Sequence, residues 1–266
     1  MSSKLKSFFK SIPIIGPLGN KLARLAKRTS RRIRGKTSRG WEQYTFSREP
    51  LPKDEDISVP QIINLLNYLK TSSVGQGAGP LNMPASVSMK IKGQYIKGTR
   101  EAEERLNFFP QQLEGKTVLD IGSSHGGMLF SVADKIKHGV GIDFDILAVN
   151  TANKIRSVTQ QHNLDFFAFD LEKEDLNLIL DLIPEEKVDV TFLLAVCAWI
   201  KNSDQVIQFI SKISTTLFFE TNGDEEVQQQ QIECLRRHYQ KVDSLMEVTN
   251  SKNGQEYVQR RLFFCH

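Results

Sequence analysis

At 266 residues and 39% hydrophobic, the chain can build one sizeable core with an appendage, and it has no apolar run near the roughly 18 residues of a membrane span. The formal charge of +4 hides an asymmetry: residues 1–40 hold twelve Lys or Arg and no Asp or Glu, which leaves 23 basic against 31 acidic residues, a net of −8, in the rest. Cys197, Cys234 and Cys265 are widely spaced and the five histidines scattered, so no CxxC pair or zinc-type spacing appears; a reduced compartment and no metal centre are expected.

The basic segment comes first. Leu5, Phe8, Phe9 and Ile12 fall on one helical face, with Lys4, Lys6 and Lys10 on the other sides. Pro13 and Pro17 break that helix. Leu18, Leu22 and Leu25 resume a short amphipathic pattern before "KRTSRRIRGKTSR", which is too poor in apolar residues to fold. The broken apolar run and the missing small-residue cleavage site do not suit a secretory signal. Residues 1–45 are therefore expected to form a basic amphipathic arm, partly disordered.

Residues 46–110 read as a small helical or lid region. "SVPQIINLLNYLKT" (58–71) has helical periodicity behind a Ser58 N-cap, "SVGQGAGPLNMP" is a Gly/Pro-punctuated loop, and a second helix is expected over 101–113. From 111 onward strands alternate with helices. Strands are expected at 117–121, 140–143, 166–169, 188–194 and 216–219, and helices near 127–136, 145–159, 172–182, 203–213 and 224–239. "KVDSLMEV" and "EYVQRRLFFC", joined through Asn253-Gly254, close the pattern as an antiparallel hairpin. The fold class is α/β: a doubly wound, mostly parallel seven-stranded sheet over residues 111–266.

Three strands end in an acid at the edge where open α/β sheets bind ligands: Asp120, Asp143 and Asp170. The first precedes a turn containing Gly122, Gly126 and Gly127, which admits a close ligand, and a helix start with unpaired N–H groups. Asp143 lies 23 residues beyond Asp120, a spacing suited to the two hydroxyls of a ribose. Asp170 can accept from an adenine amino group, and Asp120 can meet an ammonium. S-adenosylmethionine carries all three groups. A nicotinamide dinucleotide fits less well, because Gly122, Ser124 and Gly127 read GxSxxG rather than GxGxxG and a pyrophosphate would be repelled by Asp120.

Over about residues 90–266 the chain resembles the class I S-adenosylmethionine-dependent methyltransferases. "VLDIGSSHG" is similar to the family's glycine-rich motif, with Ser124 where a middle glycine is common. "GVGIDFD" resembles the second motif, which implies Asp143 at the ribose with Phe144 beside it. "LDFFAFDLE" resembles the third, implying Asp170 and Leu171 at the adenine, and "VDVTFLLAVCAWI" the fourth, implying that Ala195 and Val196 line the donor. Many relatives carry a His near the position of Ala198, and this chain does not. "GQYIKGTREAEERL" resembles a segment ahead of the first motif in some bacterial members, which makes Tyr95 and Arg100 candidates to reach the donor, Arg100 through the methionine carboxylate.

Methyl transfer to an oxygen also needs a base. Glu220 in "FFETNGDEE" is the first candidate, although Asn222 and Asp224 there also read as helix caps. His125 in the glycine turn is the second, its other reading being a solvent-facing loop residue. Trp199 reads either as a substrate-stacking residue or as core. No NPPY-like signature follows the fourth parallel strand, and no Cys stands as an RNA-modifying nucleophile. The expected activity is O-methylation of a small-molecule or glycan acceptor, such as a lipid-linked saccharide, by a cytoplasmic protein peripheral on the inner membrane face. The arm, residues 1–40, would meet an anionic membrane surface there. One alternative is an RNA methyltransferase whose arm binds phosphate, against which stand the acidic core and the lack of interleaved aromatics in the Arg-rich run. Another is a non-catalytic, membrane-docked binding protein, given Ser124 and Ala198.

Overall fold

The computed structural model describes residues 85–91, 94–253 and 256–266. The basic arm, its boundary at residue 45 and the helix expected at 58–71 lie outside the described residues.

The described chain begins with short strands. β1 (Ala85–Val87) pairs in parallel with β4 (Gly98–Arg100), and β2 (Met89–Ile91) pairs antiparallel with β3 (Gln94–Ile96). These fall in the segment expected to be helical. The alternation of Val87, Met89 and Ile91 with polar residues is a strand pattern, and the described side chains Val87, Met89 and Ile96 are buried. The helix expected over 101–113 shrinks to α1 (Glu103–Leu106). Pro110 restricts the backbone of Phe109 before it, so a helix cannot run through. Phe109 instead packs edge-on against Phe192, Phe218 and Phe264, at centroid distances of 6.1, 5.1 and 5.7 Å.

Five parallel strands follow: β5 (Thr117–Ile121), β6 (His138–Asp143), β7 (Leu164–Ala168), β8 (Val188–Leu194) and β9 (Ser214–Glu220). The antiparallel hairpin β10 (Val242–Asn253) and β11 (Glu256–Cys265) completes the sheet, in the order β10-β11-β9-β8-β5-β6-β7. The strand order therefore reverses between β5 and β8. Their carboxyl ends border the crevice in which such folds bind ligands.

Alternate residues of each strand feed different cores. Leu119, Ile121, Leu193, Leu217, Phe219 and Phe263 join one cluster, packed by α5 (Ser203–Ile213) and α6 (Glu225–His238). Val118, Val190, Phe192, Phe218 and Leu262 join the other, packed by α2 (Gly127–Val132), α3 (Ile146–Thr159) and the segment around Phe109. By the same alternation Asp120, Glu220 and Arg260 sit on the second face, among apolar neighbours. The stretch expected as one helix over 172–182 is a 3₁₀ turn, Leu176–Leu178, capped by Asp175 and followed by α4 (Ile179–Leu182).

Candidate active site

The turn after β5 is shaped by left-handed backbone at Gly122 (φ 76°), Ser124 (φ 51°) and Gly126 (φ 82°). A Cβ at Gly122 would stand 2.5 Å from Val196 Cγ2, so the turn and the end of β8 approach in a way only glycine permits. Ser124 adopts a conformation that favours glycine, which accounts for the residue common in relatives. Its amide donates to Asp143 Oδ2 at 2.7 Å. Asp143 Oδ1 accepts from the Asp145 amide at 2.9 Å. One carboxylate thus pins the turns after β5 and β6 together. Each oxygen retains a lone pair for a ribose hydroxyl. Burial raises the Asp143 pKa against the lowering effect of these amides. Phe144 beside it is 74% exposed, a free aromatic face at the ligand edge. Ala195, just past β8, is also left-handed (φ 61°), its amide donating to the Glu220 carbonyl at 2.9 Å.

Asp120 is 3% exposed, and its carboxylate accepts no hydrogen bond from the described residues. Burial pushes its pKa up to about 7, with Arg105 pulling it down and Asp143 pushing it further up. A buried carboxylate left in this state suits a cation that arrives with a ligand.

Beyond Asp120 lies a set of charges that sequence reasoning only partly anticipated. Glu220 is fully buried and forms ion pairs with Arg105, with Arg100 at 3.4 Å and with Arg260 at 3.9 Å. Glu220, the first candidate base, thus sits among three guanidinium groups, an arrangement that suits an anchor for the arginines. Arg105 and Arg260 were missed. Arg105 gave no signal, standing in an ordinary polar helical stretch. Arg260 did give one: it falls two residues before Leu262 and four before Phe264, buried apolar residues on the same face of β11. Burial lowers the Arg100 pKa to about 10, which leaves it cationic at neutral pH, and its place near the ligand edge suits a carboxylate.

The other expected residues fare differently. His125 is not solvent-facing: it is 3% exposed, and burial lowers its pKa to about 4. Its Nδ1 lies 3.2 Å from Ser124 Oγ. Asp170 accepts from Lys173 Nζ at 2.8 Å and from the amides of Glu172 and Lys173, so it caps its own turn; the Lys173 bond holds its pKa down. Leu171 beside it is buried. Trp199 is 63% exposed, which removes the core reading. Tyr95 is 58% exposed, its hydroxyl donating to Glu101 and lying 3.1 Å from Ser88 Oγ.

A profile of the methyltransferase domain matches residues 112–257, more than half of the chain. The chain belongs to the methyltransferase-domain family. Its fold is that of the class I enzymes, and S-adenosylmethionine is its cofactor. No curated protein sequence matches it. Among solved structures, the N-terminal domain of EvdMO1 with S-adenosylhomocysteine bound superposes with a TM-score of 0.53 at 10% identity, over 76% of this chain and 95% of that one. The bifunctional kinase-methyltransferase WbdD superposes with a TM-score of 0.54 at 15% identity, over 75% of this chain. This chain spans 45% of WbdD.

The residues fit the donor. Asp120 would take its ammonium, Arg100 its carboxylate, Asp143 the ribose and Phe144 the adenine side. The buried Asp120 carboxylate, which no described residue hydrogen-bonds, is the observation that favours this arrangement. Only the ionised form of Asp120 attracts an ammonium, so below its pKa a proton must leave before the donor is held. Affinity for S-adenosylhomocysteine should therefore rise about tenfold per pH unit up to about pH 7 and then level off. Asp120→Asn should flatten this profile. Calorimetry across that range checks it, and a flat wild-type profile would refute it. Without ligand the sign is opposite. As pH rises from the ordinary 3.8 to about 7 the folded state keeps a proton that the unfolded chain has released, so this group makes the free fold less stable across that window.

Proposed function

We propose that this methyltransferase transfers its methyl group to a hydroxyl of a saccharide. The observation that carries the reading is Trp199, an indole 63% exposed on the turn that follows β8. A flat exposed aromatic at the ligand edge offers a face to the C–H-rich side of a sugar ring while the hydroxyls stay solvated. A structural neighbour, the N-terminal domain of EvdMO1, was crystallised in the presence of S-adenosylhomocysteine and D-fucose (TM-score 0.52, 10% identity), which supports the same direction.

When bound, the donor supplies an electrophilic methyl group on sulfur. The chain's own contribution is positional. Asp143 and the left-handed turn orient the donor, Asp120 and Arg100 hold its amino-acid end, and the loop carrying Ala195 to Trp199 presents the acceptor. Such positioning supplies much of the rate of an in-line displacement, in which sulfur leaves with the bonding electrons as S-adenosylhomocysteine and the acceptor hydroxyl's proton passes to a base or to water. The test is transfer of labelled methyl from S-adenosylmethionine to fractionated cell material. Label is expected in saccharide or lipid-linked saccharide, and as an ether it should resist mild base. Label confined to RNA, or base-labile label, would overturn the reading. Trp199→Ala should raise KM for the acceptor while leaving donor affinity unchanged.

The basic arm extends this proposal to a location. Residues 1–40 carry twelve cationic side chains, each worth about 1 kcal/mol near an anionic lipid surface. Deleting them should abolish co-sedimentation with anionic vesicles at low salt and leave S-adenosylhomocysteine binding intact. Equal sedimentation of the full and truncated chains would remove the membrane from the proposal. Among the described residues no helix is long and apolar enough to cross a membrane.

A further inference from the structure

The chain's metal-type donors are dispersed in sequence, yet α5 and α6 bring three of them to one point. Cys234 and His238 stand four residues apart on α6 and therefore share a face. Asp204, in the first turn of α5, lies opposite. Its Oδ1 is 2.9 Å from Cys234 Sγ and 3.3 Å from His238 Nε2, and the three donor atoms all lie within 4.8 Å of one another. Tetrahedral ligation at the usual zinc bond lengths places donors roughly 3.3–3.8 Å apart. Adjustments of a fraction of an ångström to a little over one would bring these three to that spacing. The described residues include every Cys and His of the chain, and no second grouping of three such donors occurs among them.

We propose that Asp204, Cys234 and His238 form a site for a divalent cation of borderline softness, the zinc class, with water as fourth ligand. The donor set argues for that class: one sulfur, one imidazole nitrogen and one carboxylate oxygen suit zinc, whereas magnesium and calcium demand oxygens. The charges also balance. Binding releases the thiol proton to water, and a thiolate with a carboxylate then neutralises a dication while the imidazole stays neutral. Cys234 is buried and His238 nearly so, which fixes two donors, and the half-exposed Asp204 faces solvent and gives the ion its entry. Arg237 occupies the same Asp204 oxygen at 2.6 Å, but its side chain is itself mostly exposed. It can leave at the small cost of a surface ion pair.

The site explains something that C-x3-H spacing alone does not show, because the third donor comes 30 residues earlier. None of its three residues is among those assigned to the donor. Its effect would be mechanical. Asn202, two residues before Asp204, donates to the Leu171 carbonyl at 2.6 Å, and Trp199 is on the turn just ahead. An ion joining the start of α5 to α6 would hold that turn in place.

The full-length protein, freed of metal by a chelator, is titrated with cobalt(II) and then with zinc(II). One cobalt ion per chain is expected, with thiolate-to-cobalt charge-transfer absorption that zinc abolishes, and zinc should raise Tm. Cys234→Ser and His238→Ala should remove the absorption and weaken zinc binding by at least about a hundredfold, the upper end of what losing even an outer partner costs a metal site. S-adenosylhomocysteine binding should be unchanged in both. Absence of the charge-transfer band, or zinc binding that survives both substitutions, overturns the site. Asp204→Asn, at an exposed position that tolerates the change, decides the matter should either helix variant fail to fold: unaltered cobalt binding by it would refute the proposal.

Discussion

Glu220→Ala should destabilise the fold by about 3–5 kcal/mol, the usual cost of removing one member of a buried ion pair. The carboxylate is wholly buried, and Arg105 and Arg260 are each 7% exposed. Removing it leaves guanidinium charge in an apolar layer formed by Phe192, Phe218 and Leu262. Burial already lowers the pKa of Arg100 and of Arg260, so the cluster is held in the charged state partly by this acid. Glu220→Gln separates the two roles that the residue could have. As the anchor of arginines, it should lose most of that stability when made neutral, and whatever folds should retain donor binding. As a general base, the neutral form would fold normally and lose kcat. Urea unfolding monitored with S-adenosylhomocysteine calorimetry distinguishes them. A Gln variant of wild-type stability and no turnover would identify Glu220 as the base.

Asp143→Ala should weaken S-adenosylhomocysteine binding by roughly one to two decades, equivalent to about 1.5–3 kcal/mol for a lost charge-assisted hydrogen bond. The structure adds a second consequence. Because Asp143 accepts from the amides of Ser124 and Asp145, its loss also frees the left-handed turn after β5. Some thermal stability should fall with the affinity. Asp143→Asn keeps one acceptor oxygen and should lie between the two forms. Calorimetry beside thermal unfolding checks this. A lowered Tm with unchanged affinity would mean that Asp143 serves the turn alone.

The parallel strands and their acids were legible without coordinates because each is a local pattern. β5 and β8 were expected over the residues they occupy, and α5 likewise, since a buried strand is a short apolar run and an amphipathic helix repeats every three to four residues. Asp120, Asp143 and the glycine turn follow from the same locality: a strand end, a turn and a helix start are contiguous in the chain. The donor was therefore readable from motifs within about 60 residues.

What the sequence could not decide is charge compensation across the fold. Glu220, Arg100, Arg105 and Arg260 come from β9, β4, α1 and β11, up to 160 residues apart, and only the packing of these elements shows that the acid is clasped rather than free. The depth of His125 is likewise tertiary, since it depends on how the segment around Val87 packs over the turn. Asp204, Cys234 and His238 converge only because α5 meets α6. Composition and periodicity report what one segment needs from its surroundings. Which distant segment supplies it is set by the sheet order, and in this chain that order places the acid expected as a base among three arginines.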